Sequence, residues 1–465
     1  MVWRYEGAMF NQIFRLNSYE RKLAYLSTVP LPVRTILAGT SRSLRDEWDN
    51  SSSVGSLNRA ISANVLSPLL FSYACWILES AQKDRRSRLY FMARDGLAVK
   101  NVVDVLIDNW SLPIETHYLY CSRESLMLPA YRSTGVFEFD WITWGYLNSV
   151  TLEEVCCRLQ IKLEELSPYF DLDLRLVKSD AALSVKALAA LRKVLCLSAV
   201  ESLIEKKARE LAEIAGKYFI QEGLDSSDSW AIVDTGWRAR SQYALSSILE
   251  YMSIRPDDGV HGYYLGLNTS CCKYQNDDLK SFLFDWRSTP VDYSLNNFLC
   301  FELLFAANHA RTIGYRETES GVVPVFAEPP SEDEIEISTR QHAISVEYAR
   351  RVTSQVTHGK IKSGDLRTVV RRIMAQFIGY PSFQIADEYG RALIASEMRE
   401  RDMQEMAPEM TYSKFFKSAL GIEKIEGFWP QASMRRGGMV VALCAYNIFL
   451  KLRLLDWYRR VILKY

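Results

Sequence analysis

An α/β fold with a mostly parallel sheet follows from three stretches of this 465-residue sequence. In RLYFMARDGLAVKNVVDVL, Leu89 to Met92 form a strand. A charged turn follows, and Val99, Val102, Val103 and Leu106 then recur at helical spacing. ETHYLYCSRESLMLP repeats the plan and turns at Ser122 and Arg123. SWAIVDTGWRARSQYALSSILEYM repeats it a third time, with a strand, the turn DTGWRAR and a helix. Strands that alternate with helices imply parallel pairing. The predicted architecture is therefore Rossmann-like: a mostly parallel sheet, with a large helical insertion and a helical C-terminal region.

The elements follow in order. Residues 1–55 read as a helical segment that ends in the polar run DNSSSVGS. Residues 56–134 hold the first part of the α/β unit, entered by a long helical pattern up to 83. Residues 135–222 are helical throughout, from VTLEEVCCRLQIKLEEL to ALAALRKVLCLSAVESLIEKKARELAEIAGKY, and form the insertion. Residues 223–322 resume the sheet, with GVHGYYLGL and LKSFLFDW as further strands and ELLFAANHARTIGYRE as a helix end followed by a strand. The adjacent prolines and acidic run of VPVFAEPPSEDEIE open the helical C-terminal region, 323–465.

Composition narrows the function classes. Lys and Arg balance Asp and Glu at 56 each, so no global field favours nucleic acid. The nine cysteines include no CxxC pair or zinc spacing, which predicts reduced, mostly buried thiols. The N-terminal residues have no signal-peptide pattern. The most apolar window, ANVLSPLLFSYACWILES, carries Asn64, Ser67, Pro68 and Ser72, which predicts a core helix rather than a membrane span. These features together predict a cytoplasmic globular protein.

The three strand ends gather one kind of chemistry. Ligands of open α/β sheets bind outside the carboxyl ends of the strands. If the strands ending near 92, 121 and 233 lie side by side, Arg94, Asp95 and Gly96 meet Ser122 and Arg123 there. Asp234, Thr235, Trp237 and Arg238 join them. Guanidinium forks and helix N-termini suit phosphate. Asp95 and Asp234 could hold Mg²⁺, which takes carboxylate and phosphate oxygens, or exchange protons. The competing structural reading has Asp95 capping the next helix and the Asp and Arg side chains pairing with one another. VDTGWRARSQYAL is also similar to the loop of phosphoribosyltransferases, without their paired acids.

FMARDG, HYLYCSRESLMLP, WAIVDTGWRARSQ, GYYLGL and ELLFAANHARTIGY, as an ordered set over about residues 57–320, resemble one bacterial family. Its members are predicted haloacid-dehalogenase-superfamily (HAD-like) hydrolases encoded among surface-polysaccharide glycosyltransferases. The resemblance implies a role in capsule or O-antigen synthesis. It also implies a phosphorylated or nucleotide-activated sugar as ligand and a common site at Arg94, Asp95, Ser122, Arg123, Asp234 and Trp237. Against the Asp-x-Asp of haloacid-dehalogenase-type phosphatases, Ala93 stands where the aspartyl nucleophile would, which favours group transfer over hydrolysis. Against the family's own pattern, Ala239-Arg240 stands where Gly-Thr is usual. The alternative is a non-catalytic scaffold or regulator of glycosyltransferases.

His309, in the shared segment, is an acid/base candidate against a structural histidine, and Glu302 could face the crevice. Residues 439–465 combine aromatics and aliphatics with a basic surplus. They could lie on an inner-membrane surface or dock on the core with a solvated basic face.

Overall fold

The computed structural model describes residues 16–47, 55–132, 135–143, 150–395, 403–420, 422 and 427–452. Five parallel strands form its central sheet: β1 (Arg88–Met92), β2 (Glu115–Leu119), β3 (Trp230–Asp234), β4 (His261–Leu267) and β5 (Asp278–Asp285). Their order is β2-β1-β3-β4-β5, so the chain reverses direction across the sheet between β1 and β3. That reversal is the topological switch point of a doubly wound sheet.

Side chains alternate across each strand, and the alternation divides the interior into two cores. Leu89, Phe91, Ala231, Val233, Tyr263 and Leu265 face one core, with the helices Ser67–Lys83, Gly96–Trp110, Glu332–Thr353 and Ser363–Gly379. Tyr90, Met92, Leu119, Trp230 and Ile232 face the other. That second core is roofed by the helices between 152 and 221 and by the helix Arg240–Tyr251. The helical segment between β2 and β3 thus supplies most of one layer of the fold.

The apolar run Leu57–Lys83 is the one helix among the described residues long and apolar enough to cross a membrane, and its most apolar stretch is buried in the protein. Pro68 cannot donate a hydrogen bond to the turn before it. The ladder there widens into a π-turn over Ser62–Leu66, with Ser67 N–H reaching Ser62 O. Tyr73, one turn further on, points its hydroxyl at the carbonyls of Asp234 and Tyr263, each 2.9 Å away. This ties the core helix to the end of β3. All nine cysteines are free thiols.

Two features depart from the sequence expectations. The strand after ELLFAANHARTIGYRE, β6 (Thr312–Thr318), pairs with β7 (Gly321–Phe326) in a separate antiparallel hairpin, not in the central sheet. Tyr315 of the hairpin stacks on Tyr218 at 4.6 Å and donates to Tyr120 O at 2.9 Å, which fixes it over the end of β2. The C-terminal region also holds a short ribbon, β8 (Leu393–Ala395) with β9 (Met403–Glu405), among its helices.

Tyr73→Phe removes the donor shared by two buried carbonyls. We expect a loss of about 1–3 kcal/mol of unfolding free energy. Urea denaturation checks this, and an unchanged midpoint would count against the bridge.

Candidate functional site

Parallel pairing sets Met92 opposite Leu119 and Phe91 opposite Val233, so three strands end level and their turns lie side by side. The helix after β1 packs tightly on its own strand. A Cβ on Gly96 would come 3.1 Å from the Phe91 carbonyl carbon. The Ala93–Arg94 peptide between them is cis.

Asp95 does not cap that helix through its side chain. Its Oδ2 instead accepts a hydrogen bond from Thr235 Oγ1 at 2.7 Å, across the switch point. Asp234 folds back over its own turn and accepts from Gly236 N–H at 3.0 Å. A Cβ on residue 236 would sit 2.7 Å from Asp234 Oδ2, so any other residue there would push that carboxylate out of place. Burial, reinforced by the Glu302 and Asp234 carboxylates, pushes the Asp95 carboxyl up to about 7, against the pull of Thr235 and Arg94. Burial also raises Asp234, with a further push from Glu302, while Gly236 N–H and Arg123 oppose it. Three carboxyl groups therefore share one electrostatic environment on the crevice floor.

Trp237 organises the third of them. Its Nε1–H donates to Glu302 Oε1 at 3.1 Å, and its ring stacks on Phe298 at 4.7 Å. The ring is buried, which makes it a positioning element for Glu302. Cations gather at the rim. Arg94 and Arg123 act on Asp95 and Asp234 respectively. Arg238 is close enough to Arg240 and Arg123 for their charges to lower its own affinity for a proton, an effect secondary to burial. Arg240 is paired with Asp140 at 3.1 Å.

The remaining candidates have structural duties. Ser122 Oγ donates to Thr312 O at 2.6 Å and accepts from Ser125 N–H at 3.2 Å, capping the helix Arg123–Met127 and anchoring the hairpin. His309 Nδ1 donates to Ala310 O at 2.8 Å, so its Nε2 accepts from Tyr118 Oη at 2.6 Å. Burial lowers the His309 pKa, with Arg94 adding to the effect, and the imidazole stays neutral near pH 7.

Among the described residues, one set of three metal-ligating side chains comes together, and it is at the other end of the sheet. Asp84, His261 and Asp278 place ligand atoms within 4.8 Å of one another where β4 and β5 begin. Cations already occupy this set. Lys280 reaches Asp84 at 2.6 Å and Asp278 at 3.4 Å, and Arg86 contacts His261 Nε2 at 2.6 Å. Sequence reading missed this set, because nothing in its spacing relates positions 84, 261 and 278.

Fold and site together define an α/β protein whose β1–β3 switch point gathers the acids Asp95, Asp234 and Glu302 close to the cations Arg94 and Arg123. A scan against protein-family models returns no match for the chain, and neither does a search of curated proteins.

The raised pKa of Asp95 has a consequence for stability. In the unfolded chain an aspartate titrates near 3.9. A native pKa above that value means stability present at low pH is lost as pH rises towards 7. Asparagine mimics the neutral form, so we expect Asp95→Asn to raise Tm more at pH 8 than at pH 5. Calorimetry at both pH values checks this. A gain that is flat or smaller at pH 8 would place the Asp95 pKa in the ordinary range.

Proposed function

We propose that the crevice binds a phosphorylated or nucleotide-activated sugar and transfers or hydrolyses its phosphoester or glycosyl bond. The observation that carries this reading is the pairing of a carboxylate floor, Asp95, Asp234 and Glu302, with guanidiniums from Arg94, Arg123 and Arg238. A planar guanidinium donates two parallel hydrogen bonds to phosphate. The first turn of the helix Gly96–Trp110 adds a positive dipole end.

A divalent cation would relieve the burial and like charge that raise both Asp95 and Asp234. Mg²⁺ characteristically takes one or two carboxylates together with phosphate oxygens, and Asp234 with Asp95 supplies that donor set. Bound there, it would neutralise the phosphate of the substrate. Asp95, whose carboxyl burial raises to about 7, is the proton-exchanging group. A carboxyl that titrates near 7 is poised to take a proton from an attacking hydroxyl and return it to the leaving group. Thr235 keeps Asp95 oriented, and Trp237 holds Glu302 in place. Ala93 leaves no aspartyl nucleophile on β1, so direct transfer to water or to an acceptor hydroxyl fits better than a phospho-enzyme. The resemblance to HAD-like surface-polysaccharide enzymes supports the same substrate class.

A thermal-shift panel of sugar phosphates, nucleotide sugars and phosphoribosyl pyrophosphate, with and without Mg²⁺, tests this proposal. A ligand at about 100 times its Kd stabilises the native state by about 2.7 kcal/mol. We expect one ligand class to raise Tm only with Mg²⁺, and the shift to vanish in Asp234→Asn. Turnover of that ligand should fall at least about 100-fold in Asp95→Asn. A flat panel would refute the phosphate site. Binding without turnover would leave the crevice as the sensor of a glycosyltransferase scaffold.

A further inference from the structure

The last described helix, Val440–Lys451, is apolar on nearly every side. It docks through Leu443 and through Asn447, whose Nδ2 donates to Gly379 O at 2.6 Å. Its outer stripe is Val441, Ile448 and Leu452, spaced to share one face, with Val441 80% and Ile448 54% exposed. The helix is thus docked on the core, and over the described residues its outer stripe is apolar with Lys451 exposed. Arg453, Asp456, Arg459, Arg460 and Lys464 lie outside the described residues.

A second helix extends this surface. Tyr412–Ala419 turns Phe415 towards the small core of Met410, Met434, Met439 and Leu443, on which Ala442 and Tyr446 also pack. Its Tyr412 and Phe416 are exposed, as is Leu420 one turn beyond. Nine of the twenty-two large apolar side chains exposed among the described residues fall between 412 and 452. Soluble surfaces rarely concentrate apolar area in this way unless something covers it.

Charge indicates what the cover is. Residues 411–465 carry ten Lys or Arg against three Asp or Glu, a surplus of seven on a neutral chain. Lys414, Lys417 and Lys451 lie on the same two helices, and all three are exposed. Apolar stripes on helices that also carry exposed lysines, Lys451 among them beside the Val441/Ile448/Leu452 stripe, match an anionic lipid surface. Aliphatic and aromatic groups there enter the acyl boundary, and ammonium groups meet the phosphates.

We propose that the helices Tyr412–Ala419 and Val440–Lys451 form a docking surface for anionic membrane. This inference does not depend on the phosphate-site reading. Flotation of the full chain with vesicles tests it, comparing equimolar phosphatidylglycerol and phosphatidylcholine with phosphatidylcholine alone. The protein should partition at least about tenfold more strongly onto the anionic vesicles. The double variant Val441→Glu/Ile448→Glu should lose that partitioning while keeping its Tm, because both side chains already face solvent. Lys417→Glu and Lys451→Glu should each weaken it by about fivefold or more. Absence of flotation with either vesicle would overturn the proposal, as would partitioning unchanged in the double variant. Light scattering separates the remaining case. A dimer that dissociates in Ile448→Glu and ignores vesicles would make the surface an interface between two copies and would also overturn it.

Discussion

Phe91 pairs with Val233 in parallel register, and this pairing holds the ends of β1 and β3 level at the point where the sheet changes direction. The buried chemistry of the crevice follows from that register. It brings Thr235 to Asp95 and sets both carboxyl groups in the same poorly solvated place. A slip by one residue would exchange the two faces of β3, sending Val233 into the wrong core. Tyr73 reinforces the register from beneath through the carbonyls of Asp234 and Tyr263.

The floor opposes stability. A buried carboxyl near other carboxyls is costly when ionised, and the surroundings relieve only part of that cost. Thr235 and Gly236 each supply one hydrogen bond, and Arg94 and Arg123 supply charge. A structural ion pair would hold its acid below the ordinary range, yet Asp95 and Asp234 are both held above it.

Much of this was legible in the sequence where local pattern and global topology agree. Each strand end is a short apolar run cut off by charge, and a helix follows, so the positions of Asp95 and Asp234 could be read from periodicity alone. The five-stranded parallel sheet bears out the predicted α/β class. What could not be read depended on contacts across long separations. Ser122 looks like a phosphate ligand until Thr312, far along the chain, claims its hydroxyl. Trp237 looks like a stacking platform until Phe298 covers it and Glu302 takes its N–H. Tyr118, which holds His309, carries no signal beyond its place in a strand. The outer face of Val440–Lys451 was hidden for another reason. An all-apolar helix has no periodicity to show which side is buried, and only the docking of Leu443 and Asn447 settles it.

The most direct measurement is a site-resolved titration of Asp95, by carboxyl carbon NMR or infrared difference spectroscopy on the full chain, with Asp95→Asn to assign the signal. The account predicts a carboxyl that titrates at about 7. A titration near 3.9, the value of a solvated aspartate, would contradict it and make the crevice an ordinary ion-paired strand end.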